Sequence, residues 1–480
     1  MIVMIGKENY ISFSNMTHIC SHFYSGNTMF SKIGELIFEN EAVSKTSDFK
    51  MGLEVEMHRV DGTGNLSEEP YPAAIGDEKV NPWITNDFLE TMSEVVTPAA
   101  SNSLDAMHYL YSINTALRTA LSPGEFLWPL SMPPRLASDR IRIAKAGPEK
   151  EKYFREWLKK HRLAEGAPCG AHINLSIDRH LIEMVYQKMP DRFANELAVQ
   201  NYLYTIVAQG FVRYRWLLTY LFGASPIAEA NYFKKGDKLT HPVRSLRQSK
   251  KYGFGSNFTP DYTDVESYVA RIKRAVAKKE IYTAAQFHGP VRFKGDNVEN
   301  LATDGIKYLE LRMLDLDPTS YVGIRTGTLR FIRLLASYFI MSPALNKSEV
   351  SEALAVADKR NEIVALEDPT KKSQLSEAAI ALIEHLKVYV DLIQAGPEYQ
   401  ELIEDMEYRV KIPMNTPSAR LVRHIKDDSL TYYALKRAKA YQKSALLALH
   451  PFRGFEDNAS LTADELKAKI FRGSWEPDNR

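Results

Sequence analysis

The chain has 480 residues, 45% of them hydrophobic, so it can bury a large core in one large domain or in two or three smaller ones. Its 61 basic and 60 acidic side chains nearly cancel, and the net charge of +1 excludes a global field that would attract nucleic acid or an anionic membrane. Two cysteines, Cys20 and Cys169, are too few for a disulfide framework, which fits the reducing cytoplasm.

The first 48 residues carry scattered apolar side chains and end in a polar run at 44–48. This pattern predicts a helical lead-in without chemistry of its own. Lys7, Glu8 and Asn9 interrupt any apolar run near the start, so we expect no secretory signal there.

Residues 52–59 alternate apolar and polar side chains, which predicts a β-strand. Glu54 and Glu56 then lie on one face, roughly 7 Å apart, a spacing that suits neighbouring hard cations. The alternative is a solvated edge strand with two exposed glutamates.

The alternation recurs at 171–176 and 308–313. The polar faces carry His172, Asn174 and Ser176 in the first segment and Glu310 and Arg312 in the second. Three such strands suggest one sheet whose concave side is an active site. Because Glu310 and Arg312 share a face, a metal ion and a guanidinium could converge there on one phosphoryl oxygen.

Long helices are predicted where apolar side chains recur every three or four residues. They span 104–121, about 192–222, 373–395 and 429–449. The longest apolar stretch, 216–222, is far shorter than the roughly 20 residues that cross a bilayer. Strands and helices alternate irregularly, which favours a single α+β domain around a largely antiparallel sheet over a doubly wound parallel one.

The common phosphate-binding loops are missing from the sequence. It contains neither GxxxxGK[ST] nor a GxGxxG between a strand and a helix. A nucleotide would therefore be held through metals and arginines. Arg155, Arg247 and Arg292 lie in polar, loop-like contexts, where guanidinium groups could clamp amino-acid carboxylates. For each of them the alternative is a surface ion pair.

Several short segments, in this order and spacing, resemble bacterial glutamate–cysteine ligases over roughly residues 50–430. They are 52–59 (GLEVEMHR), 83–88 (WITNDF), 94–98 (EVVTP), 127–133 (LWPLSMP), 220–226 (YLFGASP), 245–247 (SLR), 289–292 (GPVR), 308–312 (YLELR) and 418–421 (SARL). Residues 252–254 and 287–292 are most similar to the ligase half of bifunctional glutathione-synthesising proteins.

The resemblance implies the largely antiparallel, funnel-shaped β-sheet shared with glutamine synthetase, with surrounding helices and a helical C-terminal part. We expect a lead-in over 1–48, a catalytic domain over 49–450 and a C-terminal tail over 451–480. The implied activity is ATP- and Mg²⁺-dependent ligation of the L-glutamate γ-carboxyl to the L-cysteine amino group through γ-glutamyl phosphate. The product would be γ-glutamylcysteine, and we expect no nucleic-acid, membrane or obligate protein partner.

The same resemblance implies two or three Mg²⁺ ions in the funnel. Their ligands would be Glu54, Glu56, Asp87, Glu94, His172 and Glu310. Arg312 would act catalytically, and Glu310 is expected to be an exposed funnel carboxylate. The implied substrate-binding residues are Arg155, Asn174, Arg247, Phe254, His288 and Arg292, with Asn174 close to the acceptor. The seven-residue offset between Asp87 and Glu94 suits a helix face, although residues 92–95 could also begin a strand.

The acceptor pocket departs from the family pattern. Phe154, Phe254 and His288 stand where aromatic hydroxyls are expected, and Ile173 replaces a tyrosine. These changes keep open a γ-glutamyl ligase for another amino acid or amine. A catalytically silent regulatory relative and a two-metal phosphohydrolase are weaker interpretations, since the ligand set is complete and the family segments are ordered.

Two further expectations concern product and thiol chemistry. The 480 residues leave no length for the ATP-grasp half of the bifunctional proteins, so we expect the reaction to stop at γ-glutamylcysteine. Cys169 lies close to His172, but no orienting acid is apparent and ligase chemistry needs no thiolate. We therefore interpret Cys169 as a small packed residue.

Overall fold

The computed structural model describes residues 2–5, 9–12, 29–137, 140–145, 147–237, 239–253, 258–284, 287, 289–448, 452, 454–455 and 460–472. Its strands are β1 (Ile2–Ile5), β2 (Asn9–Ser12), β3 (Lys50–Val60), β4 (Ile84–Asn86), β5 (Met92–Val96), β6 (Phe126–Leu127), β7 (Ala171–Ser176), β8 (Val291–Lys294) and β9 (Tyr308–Leu314). Its helices are α1 (Lys32–Glu39), α2 (Ser103–Ala120), α3 (Pro148–Leu158), α4 (Arg179–Lys188), α5 (Glu196–Arg213), α6 (Arg215–Phe222), α7 (Val265–Ala277), α8 (Leu301–Asp304), α9 (Thr326–Met341), α10 (Val350–Leu366), α11 (Ser376–Leu392), α12 (Pro397–Lys411), α13 (Pro417–Val422), α14 (Thr431–Leu446) and α15 (Ala463–Arg472).

The main sheet is open and antiparallel. Its strand order is β4–β5–β3–β7–β9–β8, and β6 pairs with the end of β3. The three strands predicted from alternation, β3, β7 and β9, are neighbours at its centre. The predicted α+β domain with a largely antiparallel sheet is confirmed.

The two faces of the sheet differ in chemistry, as the period of two requires. On β3, Leu53, Val55 and Met57 are buried in the main hydrophobic core. Helix α2 packs against β3 and β5, and α6 packs against β9. The opposite face carries the polar side chains, so burying the apolar face turns these polar residues toward the candidate site.

Three of the four predicted helices are present as single helices. Helix α2 lies at 103–120, where Asn102 caps its first turn by accepting a hydrogen bond from the Asp105 amide at 2.8 Å. In the C-terminal half, α11 and α14 fall within the predicted 373–395 and 429–449. No helix in the described part of the chain is both long and apolar enough to cross a membrane.

The helix predicted over 192–222 is divided at Tyr214 into α5 and α6. The Tyr214 ring stacks on Phe339 of α9 with centroids 5.7 Å apart. Gly210 lets the same Phe339 ring approach α5, since a Cβ built at Gly210 would lie 2.3 Å from the ring. The break therefore coincides with packing against α9. Because α9 is distant in sequence, the spacing of apolar residues within 192–222 could not predict it.

A Gly210→Ala variant is expected to be destabilised by about 1–3 kcal/mol, because the added methyl group overlaps Phe339 in a packed core. Alanine favours a helix over glycine by roughly 1 kcal/mol, so a rise in stability would contradict this packing. Urea unfolding monitored by circular dichroism measures the change. Gly327→Ala on α9 is the control, since its nearest contact would be an ordinary 3.7 Å to Leu402.

The lead-in is not uniformly helical. β1 and β2 pair antiparallel, and α1 is the helix described before residue 43. Within the expected tail, α15 packs near α2, and Trp83 Nε1 donates a hydrogen bond to the Leu461 carbonyl at 2.8 Å. The division into 1–48, 49–450 and 451–480 stays a prediction.

Candidate active site

Strands β3, β5 and β7 bring three predicted metal ligands together on the polar face. Glu54, Glu94 and His172 each offer a ligand atom, and these atoms all lie within 4.8 Å of one another. The sheet register causes this, because Glu54 stands opposite His172 and Glu56 stands opposite Glu94. Side chains directly opposite each other in a sheet share a face.

His172 is the centre of this group and is only 1% exposed. Its Nδ1 lies 3.2 Å from Glu54 Oε2, which fits an N–H donating to that carboxylate. Its Nε2 is buried, has no hydrogen-bond partner among the described residues, and lies 3.7 Å from Glu56 Oε1. With Nδ1 as the donor, Nε2 turns its lone pair toward a carboxylate, an arrangement that a divalent cation would satisfy.

The carboxylates on β3 and β5 accept hydrogen bonds from neutral groups. Burial raises the pKa of Glu94 well above its usual range, and Asp87, Glu54 and Glu56 raise it further. Glu56 Oε2 accepts a hydrogen bond from the Gly170 amide at 2.8 Å, and Glu94 Oε2 accepts one from Thr85 at 3.3 Å. These neutral donors do not balance the negative charge, so this half of the site fits cations.

Strands β8 and β9 form the second half of the site, in which positively charged side chains outnumber carboxylates. Glu310 contacts the guanidinium of Arg312, and its Oε2 lies 3.2 Å from Lys294 Nζ and 3.5 Å from Arg292 Nη1. Burial opposes ionisation of Glu310, but Arg312, Arg292 and Lys294 hold its pKa well below the usual range. Glu310 is 1% exposed, so the expectation of an exposed funnel carboxylate is wrong.

The two halves meet at His172. Its Nδ1 lies 3.9 Å from Glu310 Oε1 and 3.4 Å from Arg312 Nη1. A group of carboxylates that suits cations therefore adjoins a group of cations that suits anions. This combination can hold a metal-bound phosphate chain and a carboxylate side by side.

The family model described as Glutamate-cysteine ligase matches residues 35–288 and 277–362. The chain belongs to the glutamate–cysteine ligase family. This family member is 32% identical over 428 residues to the glutathione biosynthesis bifunctional protein of Streptococcus thermophilus, covering 88% of the chain and 56% of that protein. The homologue from Lactiplantibacillus plantarum is 34% identical over 417 residues, covering 86% and 54%. The chain thus spans about half the length of these relatives.

Solved structures support the family and the fold. A bifunctional glutathione synthetase from Pasteurella multocida matches this glutamate–cysteine ligase family chain with a TM-score of 0.80 and 28% identity, covering 86% of it and 55% of that protein. A glutamate–cysteine ligase from Francisella tularensis, solved with AMP, gives a TM-score of 0.76 at 20% identity, covering 89% and 94%. The second match shows the shared fold, and the fold predicted from the resemblance is confirmed.

Asp87 and Glu94 lie at an antiparallel strand pair in this family member. β4 and β5 form an antiparallel pair, Glu94 lies within β5, and Asp87 follows the last residue of β4. The strand alternative is therefore correct and the helix alternative is wrong. Asp87 pairs with Lys150 Nζ at 3.3 Å and is not part of the Glu54–Glu94–His172 group.

Two of the predicted arginines lie beside the site, Arg247 buried and Arg292 half-buried. Arg292 lies on β8 opposite Glu310, so its loop-like assignment was wrong. Arg247 Nη1 donates to the carbonyls of Arg312 and Leu314 at 3.1 and 3.0 Å, and its guanidinium packs where a Cβ at Gly170 would stand. In this family member Arg247 therefore anchors the end of β9.

The remaining predicted substrate residues differ in position. Arg155 lies on α3 rather than in a loop, has 68% of its side chain exposed, and pairs with Glu151 at 3.9 Å. Asn174 donates from Nδ2 to Glu54 Oε1 at 2.8 Å. The residues expected to change the acceptor pocket are distributed as follows: Phe154 and Ile173 are buried in the core, whereas Phe254 and His288 lie outside the described residues.

Sequence reasoning missed Lys294. On β8, Val291 and Phe293 are buried while Arg292 and Lys294 alternate with them, so the period of two could have found it. Cys169 matches its predicted structural role. It is fully buried, and burial together with the Glu56 charge raises the pKa of its thiol well above the usual range, which disfavours a thiolate.

If the Glu54–Glu94–His172 group holds a divalent cation, the raised pKa of Glu94 predicts that cation binding strengthens with pH. A proton would have to leave Glu94 before a cation bound there, so the apparent affinity for a divalent cation, with Mg²⁺ as the probe, should rise by up to about tenfold per pH unit until Glu94 is ionised. Calorimetric Mg²⁺ titration of the chain at pH 6, 7 and 8 tests this. A Glu94→Gln variant is the comparison and should show a weaker pH dependence, whereas equal slopes would contradict the assignment.

Proposed function

We propose that the chain catalyses ATP- and Mg²⁺-dependent ligation of the L-glutamate γ-carboxyl to the amino group of L-cysteine, giving γ-glutamylcysteine. The observation that carries this proposal is the junction at His172, where the Glu54–Glu94–His172 group adjoins the Glu310–Arg312 pair. Family membership and the names of the relatives, which refer to glutathione biosynthesis, support the choice of substrates.

The donor set fits magnesium with one imidazole added. Glu54, Glu94 and His172 would hold one ion. His172 Nε2 lies beside Glu56 and has no hydrogen-bond partner in the part of the chain that the structure describes, which supports a cation at that position. Glu56, Asp87 and Glu310 would complete a set for two or three ions. When bound, the metal would offset the negative charge of the ATP phosphates and the substrate carboxylate.

The proposed chemistry has two steps. An oxygen of the glutamate γ-carboxylate attacks the γ-phosphorus of ATP, and the bond from that phosphorus to the ADP oxygen breaks. The amine nitrogen of cysteine then attacks the γ-carbonyl carbon of γ-glutamyl phosphate, the bond to phosphate breaks, and the amine loses its proton. The first step brings two anions together, so side-chain cations are needed around the transferring group.

We assign the main stabilising role to Arg312. Burial disfavours its charge, but the Glu310 and Glu56 carboxylates raise the pKa of the guanidinium above its usual value, so it stays charged. It would donate hydrogen bonds to the phosphoryl oxygens, whose charge grows in the transition state. Enclosure of the site would also protect γ-glutamyl phosphate from water.

We propose that the amino-acid substrates bind beside this centre. Arg292 and Asn174 are half-buried next to the Glu310 and Glu54 carboxylates, which supports contact with substrate groups. Arg247 would support the site through β9, and Phe254 and His288 stay proposed acceptor residues. Arg155 stays a proposed substrate residue, although 68% of its side chain is exposed and it pairs with Glu151.

The finer statements about partners and location are also proposals. We propose that the chain works on small molecules without an obligate protein partner and in the cytoplasm. The balanced charge and the scarcity of cysteine support this.

The test is ADP release with ATP, Mg²⁺ and L-glutamate, comparing L-cysteine with other amino acids and amines and identifying products by mass. We expect cysteine-dependent release and γ-glutamylcysteine. Release with a different acceptor would keep the phosphoryl chemistry and overturn the cysteine assignment. No ADP release with any acceptor would overturn the proposed ligase activity and favour a catalytically silent regulatory relative.

A further inference from the structure

A small cavity of about 230 Å³ lies at the edge of the sheet where β9 ends, apart from the carboxylate cluster. Its lining comes from the segment after β9 and from helix α13 and the residues beyond it. The residues that decide its chemistry are Asp317, Arg420, Arg423, His424 and Tyr433. Its volume is below the roughly 300–1,000 Å³ of sites for drug-sized ligands, so it suits a small ligand or one end of a larger one.

The cavity carries unbalanced positive charge. Arg420 and Arg423 are exposed, and neither guanidinium has a hydrogen-bond, ion-pair or aromatic partner among the described residues. The one carboxylate in the lining, Asp317, is already occupied. It accepts hydrogen bonds from the Thr319 amide at 2.9 Å and from Arg325 Nε at 2.7 Å. Two guanidinium groups therefore face the cavity without an anion.

Arg420 stands on a rigid support. Its neighbours Ser418, Ala419 and Leu421 are all buried. The Ser418 hydroxyl donates to the Val243 carbonyl at 2.8 Å, and the Ser418 amide donates to the Gly223 carbonyl at 3.0 Å. A surface arginine on a mobile loop would lose more entropy on binding a ligand than one whose backbone is held in this way.

The wall of the cavity also offers a flat surface. The His424 ring stacks on Tyr433 with centroids 4.5 Å apart and planes 18° apart. A planar guanidinium group can bind two oxygens of one phosphate at the same time. An aromatic face can stack on a ring that is attached to that phosphate.

We propose that this cavity binds a phosphate-bearing anion through Arg420 and Arg423. The ligand is either inorganic phosphate or the phosphate of a nucleoside monophosphate whose ring lies against the His424–Tyr433 stack. The proposal goes beyond the ligase chemistry and does not depend on it, because none of the cavity residues belongs to the cluster around His172.

Calorimetric titration of the full chain with AMP, inorganic phosphate and adenosine, without glutamate or cysteine, tests the proposal. We expect phosphate-bearing probes to bind at least about tenfold more weakly to an Arg420→Ala/Arg423→Ala variant than to the unmodified chain. Arg360→Ala, at an exposed arginine of α10, is the matched control and should bind normally. Arg420→Lys keeps the positive charge but loses the planar pair of guanidinium donors, so its affinity for the phosphate-bearing probes should be intermediate.

The probes separate the two sources of phosphate. Weaker binding of AMP alone identifies a nucleotide site, whereas weaker binding of both AMP and inorganic phosphate identifies a phosphate site. Unchanged affinity of the double variant for both, or no binding by the unmodified chain, overturns the proposal. Unfolding midpoints of the variants should match that of the unmodified chain, and because no turnover is measured, a failed ligase assay leaves this result unaffected.

Discussion

A Glu310→Ala variant is expected to lose turnover by on the order of 10³-fold and stability by about 3 kcal/mol. Removing the carboxylate leaves the charges of Arg312, Arg292 and Lys294 close together in a buried site without their shared anion. It also removes the group that orients Arg312. ADP release and urea unfolding measure the two effects on the same preparation.

Glu310→Gln is the matched variant. It keeps the shape and a hydrogen-bond acceptor for Arg312 but loses the charge, so we expect a smaller stability loss and a similar loss of turnover. Glu183→Ala on α4 controls for removing a glutamate that pairs with exposed side chains. A Glu310→Ala protein with undiminished ADP release would refute the proposed role, and one with unchanged stability would refute the buried ion network.

The second large effect is expected for His172→Ala. This change removes the imidazole at the junction of the two halves, so Mg²⁺ affinity should fall at least tenfold and ADP release by on the order of 10³-fold. The stabilisation of the fold by Mg²⁺ in a thermal melt gives a readout that does not depend on catalysis.

His180→Ala provides the comparison, since His180 lies on α4 with 74% of its side chain exposed. It should respond to Mg²⁺ as the unmodified chain does. An unchanged Mg²⁺ response in His172→Ala would mean that the Glu54–Glu94–His172 group does not bind the metal, whatever the loss of turnover.

Local alternation was enough to predict the centre of the sheet. β3 places four apolar side chains on one face, and β7 and β9 place three each. Because side chains two apart share a face, Glu54, His172 and Glu310 could be assigned to a polar surface before any pairing was known. The resemblance to the family then indicated that these polar surfaces belong to one site.

Pairing between distant segments explains what the sequence did not predict. The burial of Glu310 depends on Arg292 and Lys294 standing beside it on β8, and the alternation within 308–313 does not contain this information. The three-residue strand β4 is too short to show a period, so the element around Asp87 stayed ambiguous. Arg155 was assigned to a loop because α3 is strongly polar, although Pro148 marks its first turn.

The strand order has a consequence for how the protein folds during synthesis. Central strand β7 pairs with β3 on one side, but its other neighbour, β9, is made only when residues 308–314 leave the ribosome. Until then β7 presents an unpaired edge that contains Ile173 and Leu175, a template for pairing with other chains. Refolding yield should therefore fall as protein concentration rises, and fragments that end before β9 should aggregate even though Glu54, Glu94 and His172 are all present in them.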